Sequence, residues 1–141
     1  MAEGGLVRGT EGNASARAGD LVAVSPSGLE YETLRPEDVC LVTPGGELVE
    51  GPRPSVELPM HLAVLAARPD AGAIVHTHSP RATAKPTVPV AVGVSGTPEL
   101  GAAVLEAAAG GNAVVIRDHG PVCFGGDLAE ALGRALALER C

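Results

Sequence analysis

Along this chain, short apolar runs broken by Gly and Pro alternate with longer stretches in which apolar residues recur at helical spacing. The short runs predict strands at Leu21 to Ser25, Val39 to Val42, Glu47 to Val49, Ala73 to Val75, Asn112 to Arg117 and Pro121 to Phe124. Val88 to Val92 reads as a further strand whose Pro89 confines it to a sheet edge. The helical stretches predict Ser55 to Pro69, with Ser55 as N-cap and Pro59 in the first turn, and a short helix begun by Ser79-Pro80 and ending near Ala84. Two more are predicted, one capped by Thr97 and running to about Ala109, and one capped by Asp127 with Leu128, Leu132, Ala135, Leu136 and Leu138 as its apolar face. Gly5 to Arg17 reads as a turn region. The tight turns after Ser25, Val42 and His119 imply antiparallel or mixed pairing, so the pattern predicts an α/β/α sandwich, built as one domain over residues 1–141.

Within that frame His76 and His78 matter most. Residues two apart on a strand point to one face, so the two rings project together and make half of a metal site. His119 follows the end of a later strand, with enough chain between to bring the two strand ends together. Three imidazoles suit Zn²⁺ with an open position. Glu57 lies at the mouth of a predicted helix, where its charge is favoured and its side chain can face a neighbouring site. His61, at helical spacing with Leu65 and Arg68, reads as a helix-packing residue rather than a ligand. The turn with Gly9, Gly12 and Asn13, and the Pro26-Ser27-Gly28 tip, can offer N–H groups and hydroxyls to an anion.

Composition narrows the partners. Aromatic residues are 1% of the chain, the single Tyr31 and the single Phe124, so the core must be aliphatic. A net charge of −7 and the lack of stacking aromatics exclude a nucleic-acid surface but leave room for a small phosphorylated ligand held by backbone N–H groups. Cys40, Cys123 and Cys141 have no paired spacing, which argues against a disulfide framework and for the cytoplasm. No apolar run reaches membrane-spanning length, and the start of the chain lacks signal-peptide character.

Read together, Gly9-Thr10-Glu11-Gly12-Asn13-Ala14-Ser15, Ser25-Pro26-Ser27-Gly28 with Tyr31, Pro54-Ser55-Val56-Glu57, Arg68-Pro69-Asp70, His76-Thr77-His78-Ser79, Gly96-Thr97-Pro98-Glu99-Leu100 and Asp118-His119-Gly120 resemble the class II aldolase/adducin-domain family, which includes L-fuculose-phosphate aldolase and L-ribulose-phosphate 4-epimerase. The resemblance implies a three-layer α/β/α sandwich around a mixed sheet, Zn²⁺ or another divalent metal on His76, His78 and His119, and Glu57 as catalytic acid/base. It places a phosphate cradle at Thr10, Gly12, Asn13, Ser27, Gly28 and Ser55, and implies a homotetramer acting on a small sugar phosphate. The implied reaction is aldol cleavage of a ketose phosphate through a metal-stabilised enediolate. A 4-epimerase, a decarboxylase or dehydratase, and a non-catalytic adducin-like interaction module are the alternatives. Epimerases of the family usually carry Asp where this chain has Glu57, which favours cleavage or a related decarboxylation. Val56 stands where the family often has a second Ser, and the family usually inserts a helix and loop between Ala84 and Lys85. Its tyrosine proton donor comes from that excursion or from a tail, whereas Tyr31 matches a different position.

Overall fold

The computed structural model describes residues 1–141. Its frame is one eight-stranded sheet: β1 Asn13–Ala18, β2 Leu21–Val24, β3 Cys40–Val42, β4 Leu48–Glu50, β5 Ala73–His76, β6 Val90–Ala91, β7 Ala113–Ile116 and β8 Gly120–Gly125, in spatial order β4-β3-β2-β1-β5-β8-β7-β6. Every neighbouring pair is antiparallel except β6 with β7. The sheet is therefore mixed and largely antiparallel, as the tight turns imply.

Four helices cover its faces: α1 Leu58–Ala67, α2 Pro80–Ala84, α3 Pro98–Ala108 and α4 Leu128–Arg140. Alternation along the strands decides which residues meet which layer. On β5 and β8, Ile74, Val122 and Phe124 join the core under α1 and α3 with Met60, Val64, Leu100 and Val104. Val75 and Cys123 point the other way, to Leu6, Val7, Ala131 and Ala135 under α4. Two apolar clusters on opposite faces make the three layers, and no aromatic residue beyond Phe124 is needed to fill the larger one.

Several elements differ from expectation for identifiable reasons. The region that reads as a turn, Gly5 to Arg17, contains β1, which sits at the centre of the sheet between β2 and β5. Its sequence Asn-Ala-Ser-Ala-Arg-Ala has no β-branched residue, and its inward side chains, Asn13 and Ser15, are polar yet buried. Helix α1 begins at Leu58 with Glu57 at its N-cap, not at Ser55. Pro59 has no N–H to give the Ser55 carbonyl, so the helix starts late enough to leave Pro59 in its first turn. β6 shrinks to two residues at the parallel edge beside Pro89. In α4, Ala131 and Ala135 are the fully buried positions and Leu128 is largely exposed, because Asp127 caps the helix and places Leu128 in the outer first turn.

Candidate active site

The end of β5, the β7–β8 turn and the N-terminus of α1 meet at one end of the central strands. β1 pairs with β5 so that Asn13 lies opposite His76, and both face α1. His76 is the last residue of its strand and is wholly buried, while His78, two residues beyond, is half-buried. His119 enters on a turn that requires special backbone: Asp118 has φ 56°, and a Cβ on Gly120 would lie 1.9 Å from the Thr77 carbonyl oxygen. Gly12 holds the facing turn at φ 72°, where a Cβ would come within 2.7 Å of both the His76 carbonyl oxygen and Val7. Only glycine allows either approach.

These elements bring the three rings and one carboxylate together. His119 Nε2 lies 2.9 Å from His78 Nε2 and 3.3 Å from His76 Nε2. Glu57 Oε2 is 3.1 Å from His76 Nε2, and its other oxygen is 3.9 Å from His119 Nε2. One ligand atom from each of the four residues falls within 4.8 Å of all the others. Zinc–nitrogen bonds of about 2.0–2.1 Å in a tetrahedron set nitrogens about 3.3 Å apart, near the 2.9 and 3.3 Å that separate His119 Nε2 from the other two rings.

The donor set fits a divalent cation on chemistry as well. His76 Nδ1 faces the Pro121 carbonyl oxygen at 3.0 Å and must donate to it, since a carbonyl only accepts. In the neutral ring Nε2 is then a bare lone pair aimed at a carboxylate and a second imidazole nitrogen, and a cation between them relieves that repulsion. Burial lowers the His78 and His119 pKa values, and the charge of His76 lowers them further, against the pull of Glu57. Their rings are thereby kept neutral and able to ligate. For Glu57, burial pushes the pKa up, but in the metal-free chain a protonated His76, and then hydrogen bonds from Ser95 and Asn13, outweigh it and hold the carboxyl well below the usual range. Asn13 Nδ2 donates to Oε2 at 2.8 Å and Ser95 Oγ to Oε1 at 2.6 Å.

A polar cleft of about 240 Å³ opens above this cluster, lined by Thr10, Gly12, Asn13, Ser27, Gly28 and Ser55 together with Val56, Glu57, Ser95, His78 and His119. All six residues expected to hold an anion thus border one space, with His76 beneath it. No Lys or Arg lines it. The N–H groups of Ser27 and Ser55 already bond the Arg53 and Ser25 carbonyls, so these two residues offer hydroxyls. Thr10, Gly12, Gly28 and Val56 have amides with no acceptor in the chain, and Gly12 and Gly28 carry the positive φ that turns successive N–H groups inward. Asn13 borders the cleft, and its carboxamide is bonded to Glu57 and His61. Tyr31 donates its hydroxyl to the Gly12 carbonyl, bracing that turn. Burial first, and the Glu57 charge after it, raise its phenol pKa despite a hydrogen bond from Ser25.

Two functional-looking residues escape the sequence reading. Ser95 sits in a loop that shows only as the approach to α3, and nothing local marks it. His61 lies wholly buried between Ser15 and Asn13, and its one signal is a polar residue among Met60, Leu62 and Val64.

Comparison with known proteins agrees with this geometry. The family model described as class II aldolase and adducin N-terminal domain matches residues 1–87 and 84–141, two pieces meeting where the family's excursion is expected and a short link stands. A 5-deoxy-D-ribulose 1-phosphate aldolase of Bacillus thuringiensis serovar kurstaki is 37% identical over 163 aligned positions, covering 100% of this chain and 76% of that protein. A 5-methylthioribulose-1-phosphate/5-deoxyribulose-1-phosphate aldolase of Rhodospirillum rubrum is 37% identical over 96% of this chain and 70% of its own length. Among solved structures, the L-fuculose-1-phosphate aldolase of Thermus thermophilus superposes with a TM-score of 0.86 at 32% identity, over 99% of this chain and 83% of that one. Sequence, fold and the placement of its histidines therefore agree that the chain belongs to the class II aldolase and adducin N-terminal domain family, as an enzyme of the aldolase, carbon–carbon lyase type.

Proposed function

We propose that this chain is a zinc-dependent aldolase that cleaves a small ketose 1-phosphate, with a 5-deoxypentulose 1-phosphate as the first substrate to test. The carrying observation is the convergence of His76, His78, His119 and Glu57 under a cleft whose other lining is amides and hydroxyls. The sugar class is suggested by the names of two relatives at 37% identity.

The three imidazoles would hold the metal, and a bound divalent cation supplies Lewis-acid stabilisation of charge building on the substrate oxygens. The protein's own groups do the rest. Unengaged amides of Thr10, Gly12, Gly28 and Val56, with the Ser27 and Ser55 hydroxyls, would orient the phosphate without a cationic side chain. Ser55 Oγ already accepts from the Glu57 N–H, which leaves its own proton free to donate. In cleavage the C4 hydroxyl gives its proton to water in the open cleft as C4 becomes the aldehyde carbonyl, the C3–C4 bond breaks with its electron pair staying on the phosphate-bearing fragment, and Glu57, having taken up a proton from solvent, delivers it to C3. In synthesis the carboxylate removes that proton. Buried and held ionised by its neighbours, Glu57 is placed as the base for the synthetic direction. Val56 brings an N–H but no hydroxyl, which suits a phosphate gripped chiefly by backbone. In the homotetramer that the resemblance implies, a subunit interface would cover the apolar side chains Val92 and Val94, 60% and 72% exposed in the single chain.

The test is product analysis with zinc-loaded protein and 5-deoxyribulose 1-phosphate, beside L-fuculose 1-phosphate and a 3-oxo-acid phosphate. Equal release of dihydroxyacetone phosphate and acetaldehyde from the first is expected. Carbon dioxide or water loss without aldehyde would assign a different reaction, and a metal-loaded protein inert to every ketose 1-phosphate would overturn the reading.

A further inference from the structure

We propose that His61 is a positioning residue for Glu57, acting through Asn13 in a buried chain of hydrogen bonds that runs Ser15, His61, Asn13, Glu57. The proposal rests on the reading of Glu57 as acid/base given above and adds a residue whose side chain bonds neither a member of the metal cluster nor the cleft.

The acceptor at the end of the chain dictates every proton upstream. An ionised carboxylate only accepts, so Asn13 must turn its Nδ2 to Glu57 Oε2, at 2.8 Å. Its Oδ1 then faces His61 Nε2 at 2.5 Å and needs a donor, which makes Nε2 the protonated nitrogen. The other ring nitrogen, Nδ1, is therefore bare and accepts from Ser15 Oγ at 2.6 Å. All four side chains are at most 4% exposed, and no buried polar side-chain atom lacks a partner. A carboxamide has two faces of nearly equal shape. Without a donor on its oxygen side, Asn13 is free to flip and aim that oxygen at the carboxylate, which would push Glu57 out of place. His61 forbids the flip.

A packing role alone would not need this chemistry. Position 61 lies on the α1 face turned to β1, where the ring meets Ser15 and Asn13, and a leucine of similar bulk would satisfy neither. Burial, then the charge of His76, lowers the His61 pKa to about 3 against the opposing pull of Glu57, so the ring stays a neutral, single-tautomer bridge across the working pH range.

The test uses the full chain loaded with zinc, and ketose 1-phosphate cleavage as the kinetic readout. His61→Leu removes the donor and keeps the bulk, whereas His61→Gln returns an N–H near the Nε2 position. His61→Leu is expected to lower kcat by about 10–100-fold with KM and metal content held within about twofold, and His61→Gln to recover most of it. In an Asn13→Ala background His61→Leu should add nothing, since its effect passes through Asn13. Should His61→Leu fail to fold, His61→Asn, which reaches Ser15 but is too short for Asn13, is expected to show the same loss. In metal-free protein, the imidazole nitrogen signals of His61 should show the Nε2–H tautomer alone from about pH 5 to about pH 8. An Nδ1–H tautomer, full additivity with Asn13→Ala, or a loss that tracks only the folded fraction would overturn the proposal. Glu57→Gln, assayed in parallel, separates the two failures. If it is inactive while His61→Leu keeps wild-type kcat, the positioning role alone is wrong; if it is fully active, the reading of Glu57 falls and this proposal with it.

Discussion

The substitution Gly120→Ala isolates the step by which the fold builds the metal cluster. Gly120 starts β8 immediately after His119, and a Cβ there would stand 1.9 Å from the Thr77 carbonyl oxygen, 2.9 Å from its carbon and 3.1 Å from His78 Cα. Real Cβ contacts essentially never fall under 3.0 Å, so the turn and the Thr77–His78 backbone must part by at least 1.1 Å. Those two segments carry His119 and His78, and they are pinned by the bond from Thr77 N–H to the Pro121 carbonyl at 3.0 Å. A metal site tolerates only about 0.2 Å in its bond lengths. The displacement thus exceeds that tolerance several-fold, while the added volume is a single methyl, which costs a packed interior about 1–3 kcal/mol. Gly120→Ala should therefore lose zinc affinity by at least about 10–100-fold in a competitive chelator titration. Thermal unfolding of the metal-free protein should fall by only about 3–10 °C. Wild-type zinc affinity with an unchanged melting temperature would show that the turn is free to move and that close approach at Gly120 does not set the cluster.

Three further outcomes follow from particular contacts. Stripping metal with a chelator should lower the melting temperature, and restoring zinc to about 1,000 times its dissociation constant should return about 4 kcal/mol; no change on either step would mean that the histidines bind no ion in the folded chain. His61 has an ordinary pKa of 6.5 and a folded value of about 3, so below about pH 6.5 the unfolded chain binds a proton that the fold refuses, and stability drops by up to about 1.4 kcal/mol per pH unit towards pH 3. Urea unfolding of metal-free His61→Gln should show an acid limb shallower by that one proton, and superimposable slopes would contradict a buried neutral ring. Arg17 reaches from β1 to the carbonyls of Leu65, Arg68 and Ala71 at 2.6, 3.2 and 2.9 Å, tying off the end of α1; Arg17→Met should cost about 1.5–3 kcal/mol in urea unfolding, with its m-value unchanged, and a shift within error would refute that role.

Much of this molecule is legible from residue order because its local rules agree with its fold. Short apolar runs form β2, β3, β5, β7 and β8, Thr97 and Asp127 cap α3 and α4 through their side chains, and Pro89 marks the sheet edge. β1 is hidden because its inward positions hold Asn13 and Ser15, which are polar for the sake of the site and so break the pattern that reveals strands. Ser55 has the look of a helix cap, yet the missing N–H of Pro59 moves the start to Leu58 and leaves Glu57 at the N-cap, facing the histidines.

The order of residues by itself determined which side chains are available: three histidines at or just beyond strand ends, a carboxylate before a helix, glycines in two turns, an acidic balance and almost no aromatic residues for a polymer partner. Only the tertiary structure decided that Ser95 and Asn13 grip Glu57 and that His61 stands behind Asn13. Those contacts join residues 38 to 48 positions apart across β1, α1 and the loop before α3. Periodicity and capping act within a few residues of each other, whereas the direction of a hydrogen bond between distant buried groups is set by where the packed sheet puts them.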